Sequence, residues 1–180
     1  MENQRIRLSK TMLKDALMAL LLQKPIEKIT IYELCSRAQI NRTTFYKYYG
    51  SQYDLLNEIE NDFFGQLEEL LSAEDVEDPQ GICRLLERLE ENVAQCRLLI
   101  NVLPDQDFSE KLFHLPVVRA LLDSHTPRTK DPWQAEYVRL FFYQGGYAVI
   151  RRWINSDNRE PPAEIAKLLI GLDRQLLTLE

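Results

Sequence analysis

Residues 30–49, with the sequence TIYELCSRAQINRTTFYKYY, decide the fold of this chain. Thr30 followed three residues later by Glu33 forms a capping box, a pattern that starts a helix. Asn41 is a favoured N-cap residue and starts a second short helix after a turn that ends at Ile40. Apolar residues recur at helical spacing in the first helix, at Ile31, Leu34, Cys35 and Ala38. The stretch therefore predicts two short helices joined by a tight turn, with Ile40 packed into the core.

The second of these helices has two chemically different faces. Successive residues rotate by roughly 100° around a helix, so Phe45 and Tyr49 fall together and are expected to point inward. Polar, basic and phenolic side chains occupy the remaining positions: Arg42, Thr43, Thr44, Tyr46, Lys47 and Tyr48. An aromatic anchor opposite short polar and basic groups suits a recognition helix that lies in the major groove of DNA.

Each of these polar positions has an expected role. We predict that Thr43, Thr44 and Lys47 face base edges, because Lys pairs with guanine and a Thr methyl packs on a thymine methyl. Phosphate contacts position a protein without reading sequence. They are predicted for Thr30, Arg42, Tyr46 and Tyr48. The alternative for the two tyrosines is ordinary, partly exposed aromatic packing.

The run at residues 28–56, KITIYELCSRAQINRTTFYKYYGSQYDLL, resembles the N-terminal DNA-binding domain of the TetR/AcrR family of bacterial transcriptional regulators. The resemblance covers roughly residues 8–56, including both motif helices, two aromatic pairs and the Gly/Ser turn that opens the next helix. It implies a DNA-binding head and a homodimer. Gln52 stands where many members carry Lys, so a predicted phosphate contact at Gln52 uses an uncharged donor.

The charge distribution fits a DNA-binding head on a separate body. Residues 1–53 contain nine Lys or Arg and four Asp or Glu, a net charge of +5. Residues 54–180 contain thirteen and twenty-four, a net charge of −11, and the two parts give the −6 of the whole chain. A basic segment of this kind is the electrostatic footprint expected for a partner as negatively charged as DNA.

Helical periodicity continues to the end of the chain without an alternating strand pattern, which predicts an all-α protein of eight or nine helices. We expect a three-helix DNA-binding head at residues 1–50 and a larger helical regulatory and dimerisation domain at residues 51–180. Cap and proline signals place further helices at about 9–23, 51–71, 78–102, 131–154 and 162–179, with Pro116 interrupting residues 105–124.

Aromatic residues in the middle of the chain suit an apolar ligand pocket. The predicted lining is Phe63, Phe64, Leu67, Phe108, Phe113, Tyr137 and Phe141. For any one of these residues, simple core packing is the alternative. The predicted effector is a small apolar or aromatic molecule, and the sequence does not name it.

The last two helices predict self-association. The run LFFYQGGYAVIRRWI is apolar over much of a helix circumference, and such a helix has to be covered. The same helix pair from a second copy is the simplest cover, and the TetR/AcrR resemblance implies the same homodimer. The predicted interface comprises Gly145, Val149, Trp153, Ile165, Leu168, Leu169, Leu172 and Leu176. A two-fold dimer would place two recognition helices roughly 34–36 Å apart, which predicts an inverted-repeat operator.

The sequence argues against an enzyme, a metal protein and a membrane span. The two histidines lack metal-ligand spacing, and we find no phosphate-binding loop, nucleophile motif or cofactor signature. Three cysteines, the lack of a secretory signal and the lack of a long apolar run predict a cytoplasmic protein. Repression is the expected outcome, although activation stays open. An alternative is a TetR-like adaptor or co-activator that responds to a partner protein rather than a small molecule.

Overall fold

The protein is described from a computed structural model that covers residues 4–70, 80–103, 105–125 and 131–176. These residues form ten α-helices and no strand, which confirms the predicted all-α class. The chain divides into two compact units between Phe63 and Phe64. This division lies later than the predicted domain boundary at residue 50, because the first turns of the helix that follows residue 50 pack within the first unit.

The first unit is a small helical bundle. It contains α1 (Gln4–Leu21), a short 3-10 helix (Ile26–Lys28), α2 (Ile31–Ala38), α3 (Arg42–Phe45) and the start of α4 (Gln52–Leu70). The α-helices all contribute to one core, which includes Leu13, Leu17, Leu34, Phe45, Leu55 and Ile59. α1 begins at Gln4, earlier than predicted, and ends at Leu21, two residues before the predicted end at residue 23.

The capping signals read from the sequence form as predicted. The Glu33 N–H donates to Thr30 Oγ1 at 3.2 Å, and the Thr30 N–H donates to Glu33 Oε2 at 3.3 Å. At the end of α2, Gln39 adopts the left-handed conformation with φ 54°, and the Ile40 N–H donates to the Cys35 carbonyl at 3.0 Å. This six-to-one bond is the Schellman ending, which turns the chain sharply toward α3. Ile40 itself is half-buried, so it reaches the core only in part.

The second unit contains the end of α4 and six further helices. These are α5 (Gly81–Glu91), α6 (Val93–Val102), α7 (Asp105–His114), α8 (Pro116–His125), α9 (Pro132–Asn155) and α10 (Pro162–Leu176). Pro116 is the first residue of α8, which confirms the predicted interruption. The predicted helix start at residues 78–79 lies outside the described residues.

α5 and α6 were predicted as one helix, and the structure breaks them at Asn92. Asn92 has φ −113° and ψ 28°, outside the helical range. Its side-chain amide donates to the Arg88 carbonyl four residues earlier, at 3.3 Å. An Asn side chain that bonds the backbone in this way competes with the helical ladder, and apolar periodicity alone does not reveal such a break.

The connection from α9 to α10 is fixed by polar contacts. The Arg97 guanidinium of α6 donates to the carbonyls of Ile154 and Ser156, both at 3.0 Å. These bonds satisfy carbonyl groups that the end of a helix leaves without a partner. The Trp153 indole N–H donates to the Glu160 carbonyl at 2.8 Å. The two anchors hold the ends of α9 and α10 together.

Candidate nucleic-acid interface and apolar cavity

α3 is held by an aromatic anchor. Phe45 is fully buried and Tyr49 is 4 % exposed, with ring centroids 5.5 Å apart. Thr43 and Lys47 are exposed and Thr44 is half-buried. The predicted division of the helix into an inward aromatic face and an outward polar face is therefore confirmed, although Thr44 presents only part of its side chain.

The end of α3 is tighter than an ideal α-helix. The Lys47 N–H donates to the Thr44 carbonyl at 3.3 Å, and the Tyr48 N–H donates to the Phe45 carbonyl at 2.9 Å. Both bonds span three residues, as in a 3-10 turn with about three residues per turn. The regular helix thus ends at Phe45, and a turn carries the chain to Tyr49. Periodicity at 3.6 residues per turn predicted a longer helix.

The residues predicted to contact phosphate lie before and after this exposed face along the chain, and their side chains differ in exposure. Arg42 is exposed, and Tyr46 is 52 % exposed with its ring edge-on to Phe45 at 5.5 Å. Tyr48 and Gln52 are half-buried. The hydroxyl of the exposed Thr30 is already part of the capping box, where it stabilises the start of α2. The phosphate contacts remain predictions.

Two lysines of α1 support the recognition segment, and the sequence reading missed them. Lys10 Nζ lies 5.9 Å from the ring centroid of Tyr48 and 6.0 Å from that of Tyr49. It also pairs with Glu58 of α4 at 3.5 Å. Lys14 pairs with the same carboxylate at 2.7 Å. The sequence pattern that could have predicted this cluster is a pair of lysines four residues apart on α1 and a pair of acidic residues four apart on α4. Residues spaced in this way lie on one face of a helix.

The ionisation of this cluster depends on its pairing. Burial opposes the charged form of Glu58, but hydrogen bonds and charges, chiefly from Lys14, lower the pKa of this carboxyl. Burial likewise opposes the charged form of Lys14, while hydrogen bonds to Asp62 and Glu58 raise its pKa. Lys14 Nζ lies 2.6 Å from Asp62 Oδ2. The cluster therefore holds its opposite charges at neutral pH and joins α1 to α4 within the first unit.

The second unit contains a partly open apolar cavity of about 230 Å³. The cavity lies among α5, α7, α8, α9 and α10 and is lined by Ile82, Leu85, Leu112, Phe113, Val118, Leu122, Phe141, Phe142, Tyr143, Gly145, Gly146, Tyr147, Val149, Ile150, Leu169 and Leu172. Such a lining favours an apolar ligand with few polar groups. The existence of an apolar space was expected from the aromatic content, but its position was only partly predicted.

The predicted pocket residues fall into three groups. Phe113 and Phe141 line the cavity. Tyr137 is exposed on α9 and does not line it, because its position in the helix faces solvent. The remaining residues are packed into cores: Phe63 in the first unit, and Phe64, Leu67 and Phe108 in the second. The Phe64 and Phe108 rings pack against each other with centroids 5.2 Å apart, so for these residues core packing is the better interpretation.

The predicted interface residues also divide. Gly145, Val149, Leu169 and Leu172 line the cavity, and both Leu168 and Leu172 are exposed. Trp153 is 2 % exposed and Ile165 is also buried, because the chain itself covers them. These two side chains offer almost no surface to a second copy. The side chain of Leu176 lies outside the described residues.

The described residues hold no group of three His, Cys, Asp or Glu side chains that could bind a metal ion. His114 is exposed, and its Nδ1 lies 2.7 Å from the Glu110 carbonyl of its own helix. Among the helices that the structure describes, none combines the length and the apolar character that a membrane span needs.

The α2–turn–α3 geometry defines a helix-turn-helix regulator, and comparisons with known proteins identify its family. The profile described as bacterial regulatory proteins, tetR family, matches residues 13–59. A profile described as transcriptional regulator C-terminal region matches residues 77–172. The chain belongs to the TetR family of transcriptional regulators, which binds DNA and is a family of regulators rather than enzymes.

Solved structures show the same fold at low sequence identity. A TetR transcriptional regulator from Streptococcus agalactiae is 22 % identical with a TM-score of 0.75, over 94 % of this chain and 96 % of that one. The dihydroxyacetone kinase operon activator DhaS is 19 % identical with a TM-score of 0.60, over 95 % of this chain and 97 % of that one. No curated protein matches the chain significantly.

Proposed function

We propose that this regulator binds an inverted-repeat operator as a homodimer and represses transcription, and that a ligand in its second unit changes operator affinity. The observation that carries the proposal is the exposed pair Thr43 and Lys47, opposite the buried rings of Phe45 and Tyr49. A rigid aromatic anchor fixes the direction of the polar side chains, which base recognition requires.

Two classes of contact follow from this arrangement. Lys47 carries a mobile ammonium group that suits guanine acceptors, and Thr43 offers a methyl group to thymine. Arg42 and the half-exposed Tyr46 suit phosphate oxygens. Substitution of Lys47 should therefore change the preferred sequence, whereas substitution of Arg42 should weaken binding to all sequences alike.

Mobility-shift titrations with the DNA upstream of the regulator's own gene test this proposal, at low and at physiological salt. The parent protein should lose affinity steeply as salt rises, because counterions return to the phosphates. Lys47→Ala should cost operator discrimination of about 1–3 kcal/mol. Arg88→Ala removes a half-buried cation of the second unit and serves as the charge-matched control. Unchanged operator preference in Lys47→Ala would contradict the base-reading role.

Dimerisation through α9 and α10 is supported by the apolar side chains that the single chain leaves exposed. Leu168 and Leu172 are 49 % and 44 % exposed. A Cβ atom built at Gly145 meets no atom within 4 Å, so this glycine is not required by packing within the chain. Glycine weakens a helix interior by roughly 1 kcal/mol relative to alanine. Close approach of a second copy would explain why glycine stands at this position.

Sedimentation of Leu168→Glu tests the interface. The variant should be monomeric and should lose operator binding, while its helical circular dichroism stays that of the parent. Leu22→Glu changes another exposed leucine, in the first unit, and should leave the oligomeric state unchanged. A dimeric Leu168→Glu protein would place the self-interface elsewhere.

A partner protein in place of a small molecule is the second candidate for the signal. Trp133, Tyr137 and Phe141 are all exposed at four-residue intervals on α9, which forms an aromatic stripe. Exposed aromatic patches of this kind are typical of protein contacts. Changing Trp133 and Tyr137 to serine should abolish regulation of a reporter gene without altering operator affinity in the purified protein. Intact regulation would favour the small-molecule signal.

A further inference from the structure

A polar cleft adjoins the apolar cavity in the second unit. The cleft has a volume of about 530 Å³ and is lined by residues of α7, α8 and α9, among them Glu110, Phe113, Arg119, Glu136, Arg139 and Tyr143. Phe113 and Tyr143 line both spaces, and their ring centroids lie 4.9 Å apart. This pair of rings therefore borders both spaces, with the apolar cavity on one side and the charged cleft on the other.

The charged side contains two arginines near the Tyr143 hydroxyl. Arg119 comes from α8 and Arg139 from α9, and both charges act on the ionisation of Tyr143. Asp123 accepts the Tyr143 O–H at 2.6 Å and lies 3.9 Å from Arg119 Nε. The half-buried Arg139 makes no hydrogen bond or ion pair with any residue that the structure describes. A partly desolvated guanidinium group without a partner favours an anionic ligand.

The acidic residues of the cleft do not replace an anionic ligand as the partner of Arg139. Glu110 and Glu136 are exposed, so water screens their charges. The planar guanidinium of Arg139 can hold a carboxylate through two parallel N–H donors, which an ammonium ligand cannot accept. The half-buried Arg139 beside the apolar cavity thus favours a negative group joined to an apolar body, and the exposed Arg119, which also pairs with Asp123, adds a weaker positive charge.

We propose that the second unit binds an amphipathic carboxylic acid, with the apolar chain in the cavity and the carboxylate at Arg139 and Arg119. The inference that this acid controls operator binding rests on the proposed regulatory function, whereas acid binding itself does not. Each methylene group that enters the cavity should increase affinity roughly fourfold. Lengthening hexanoate to octanoate should therefore increase affinity by about fifteenfold, from two such steps.

Titration calorimetry on the full-length protein, with octanoate and 1-octanol as probes, tests the charged side. Octanoate should bind at least about tenfold more tightly than the alcohol, because a charge-assisted bond to arginine is lost in the latter. Arg139→Gln should remove this preference, and Arg119→Gln should reduce it. Arg152→Gln changes an exposed arginine of the same helix outside the cleft and should leave octanoate affinity unchanged.

Several results would overturn the assignment. Equal affinity for octanoate and octanol would exclude a role for the arginines, and so would an equal loss in Arg139→Gln and Arg152→Gln. Equal affinity for hexanoate and octanoate would exclude the cavity as the site of the chain, even if a variant at Arg139 failed to fold. Failure of all three acids, hexanoate, octanoate and decanoate, to bind would exclude the ligand class.

The test separates acid binding from operator binding. Calorimetry requires no DNA, so a protein that binds octanoate but no operator would contradict the regulatory proposal alone. A protein that binds its operator but no acid would contradict this inference alone. If both hold, octanoate added to a mobility-shift titration should change operator affinity, and Arg139→Gln should remove that response.

Discussion

Replacing Lys10 with glutamine should weaken operator binding although Lys10 is not among the predicted DNA contacts. Its ammonium group lies about equally far from the ring centroids of Tyr48 and Tyr49, 5.9 and 6.0 Å, and pairs with Glu58 at 3.5 Å. A partly exposed cation–π contact contributes about 0.5–1 kcal/mol. A half-exposed ion pair adds about 0.2–1 kcal/mol. Lys10 therefore stabilises the segment after α3 by about 1 kcal/mol.

This stabilisation bounds the effect on DNA binding. If Lys10 keeps the segment in its binding conformation, its loss lowers the population of that conformation and reduces affinity by up to about fivefold. Lys10→Arg should retain most of the affinity, because a guanidinium group also packs over aromatic rings. Lys14→Gln is the matched control, since Lys14 pairs with Glu58 and Asp62, whereas the cation–π contacts to Tyr48 and Tyr49 in the described part of the chain come from Lys10. It should reduce stability and spare operator affinity.

The salt dependence of binding distinguishes positioning from direct contact. A lysine that contacts phosphate contributes about 0.9 to the slope of log affinity against log salt concentration. Lys10→Gln should keep the slope of the parent while lowering affinity at every salt concentration. A slope reduced by about one unit would show that Lys10 contacts a phosphate. An equal loss of affinity in Lys14→Gln would also refute the reasoning.

Three further outcomes are expected. Gln39→Gly should raise the free energy of unfolding by about 1 kcal/mol in urea titrations, because glycine adopts φ 54° without steric cost; a loss of stability would contradict this. The lowered pKa of Glu58 stabilises the folded protein fully above pH 4.5, and this stabilisation is lost as pH falls through the folded-state pKa. Glu58→Gln should therefore reduce the loss of unfolding free energy at acid pH. An unchanged loss at acid pH would exclude a stabilising pair between Glu58 and Lys14. Burial raises the pKa of Cys96 to about 12, so a thiol reagent should modify half-buried Cys83 in the native protein and Cys96 only after unfolding. Cys35 is also buried, and the test therefore uses a protein in which Cys35 is changed to alanine. Rapid modification of the native protein after the further change Cys83→Ser would contradict this prediction.

Local signals in the sequence predicted the first unit well because its caps and anchors are short-range. Thr30, Glu33 and Asn41 act on backbone groups within three residues, so their pattern specifies the two helix starts directly. The burial of Phe45 and Tyr49 followed from helical rotation over a single turn. The left-handed Gln39 was not predicted in conformation, since glutamine carries no preference for it.

Contacts between distant segments could not be predicted in the same way. The Lys10–Glu58 pair joins residues that are 48 positions apart, and many other exposed lysines and glutamates would satisfy the same pattern. The aromatic residues of the second unit were assigned to a pocket by type alone. Only packing decides that Phe108 fills a core, that Phe113 lines a cavity and that Tyr137 faces solvent.

The cavity and the predicted self-interface share residues, and this has a thermodynamic consequence. Gly145, Leu169 and Leu172 line the cavity and also belong to the proposed contact between copies. A ligand that alters these side chains would change the affinity of one copy for the other. Because coupling between two binding events is reciprocal, dimerisation must then change ligand affinity by the same factor. The dimer and the single chain would then bind the ligand with different affinities. The ratio of these two affinities sets how far the ligand can shift operator binding.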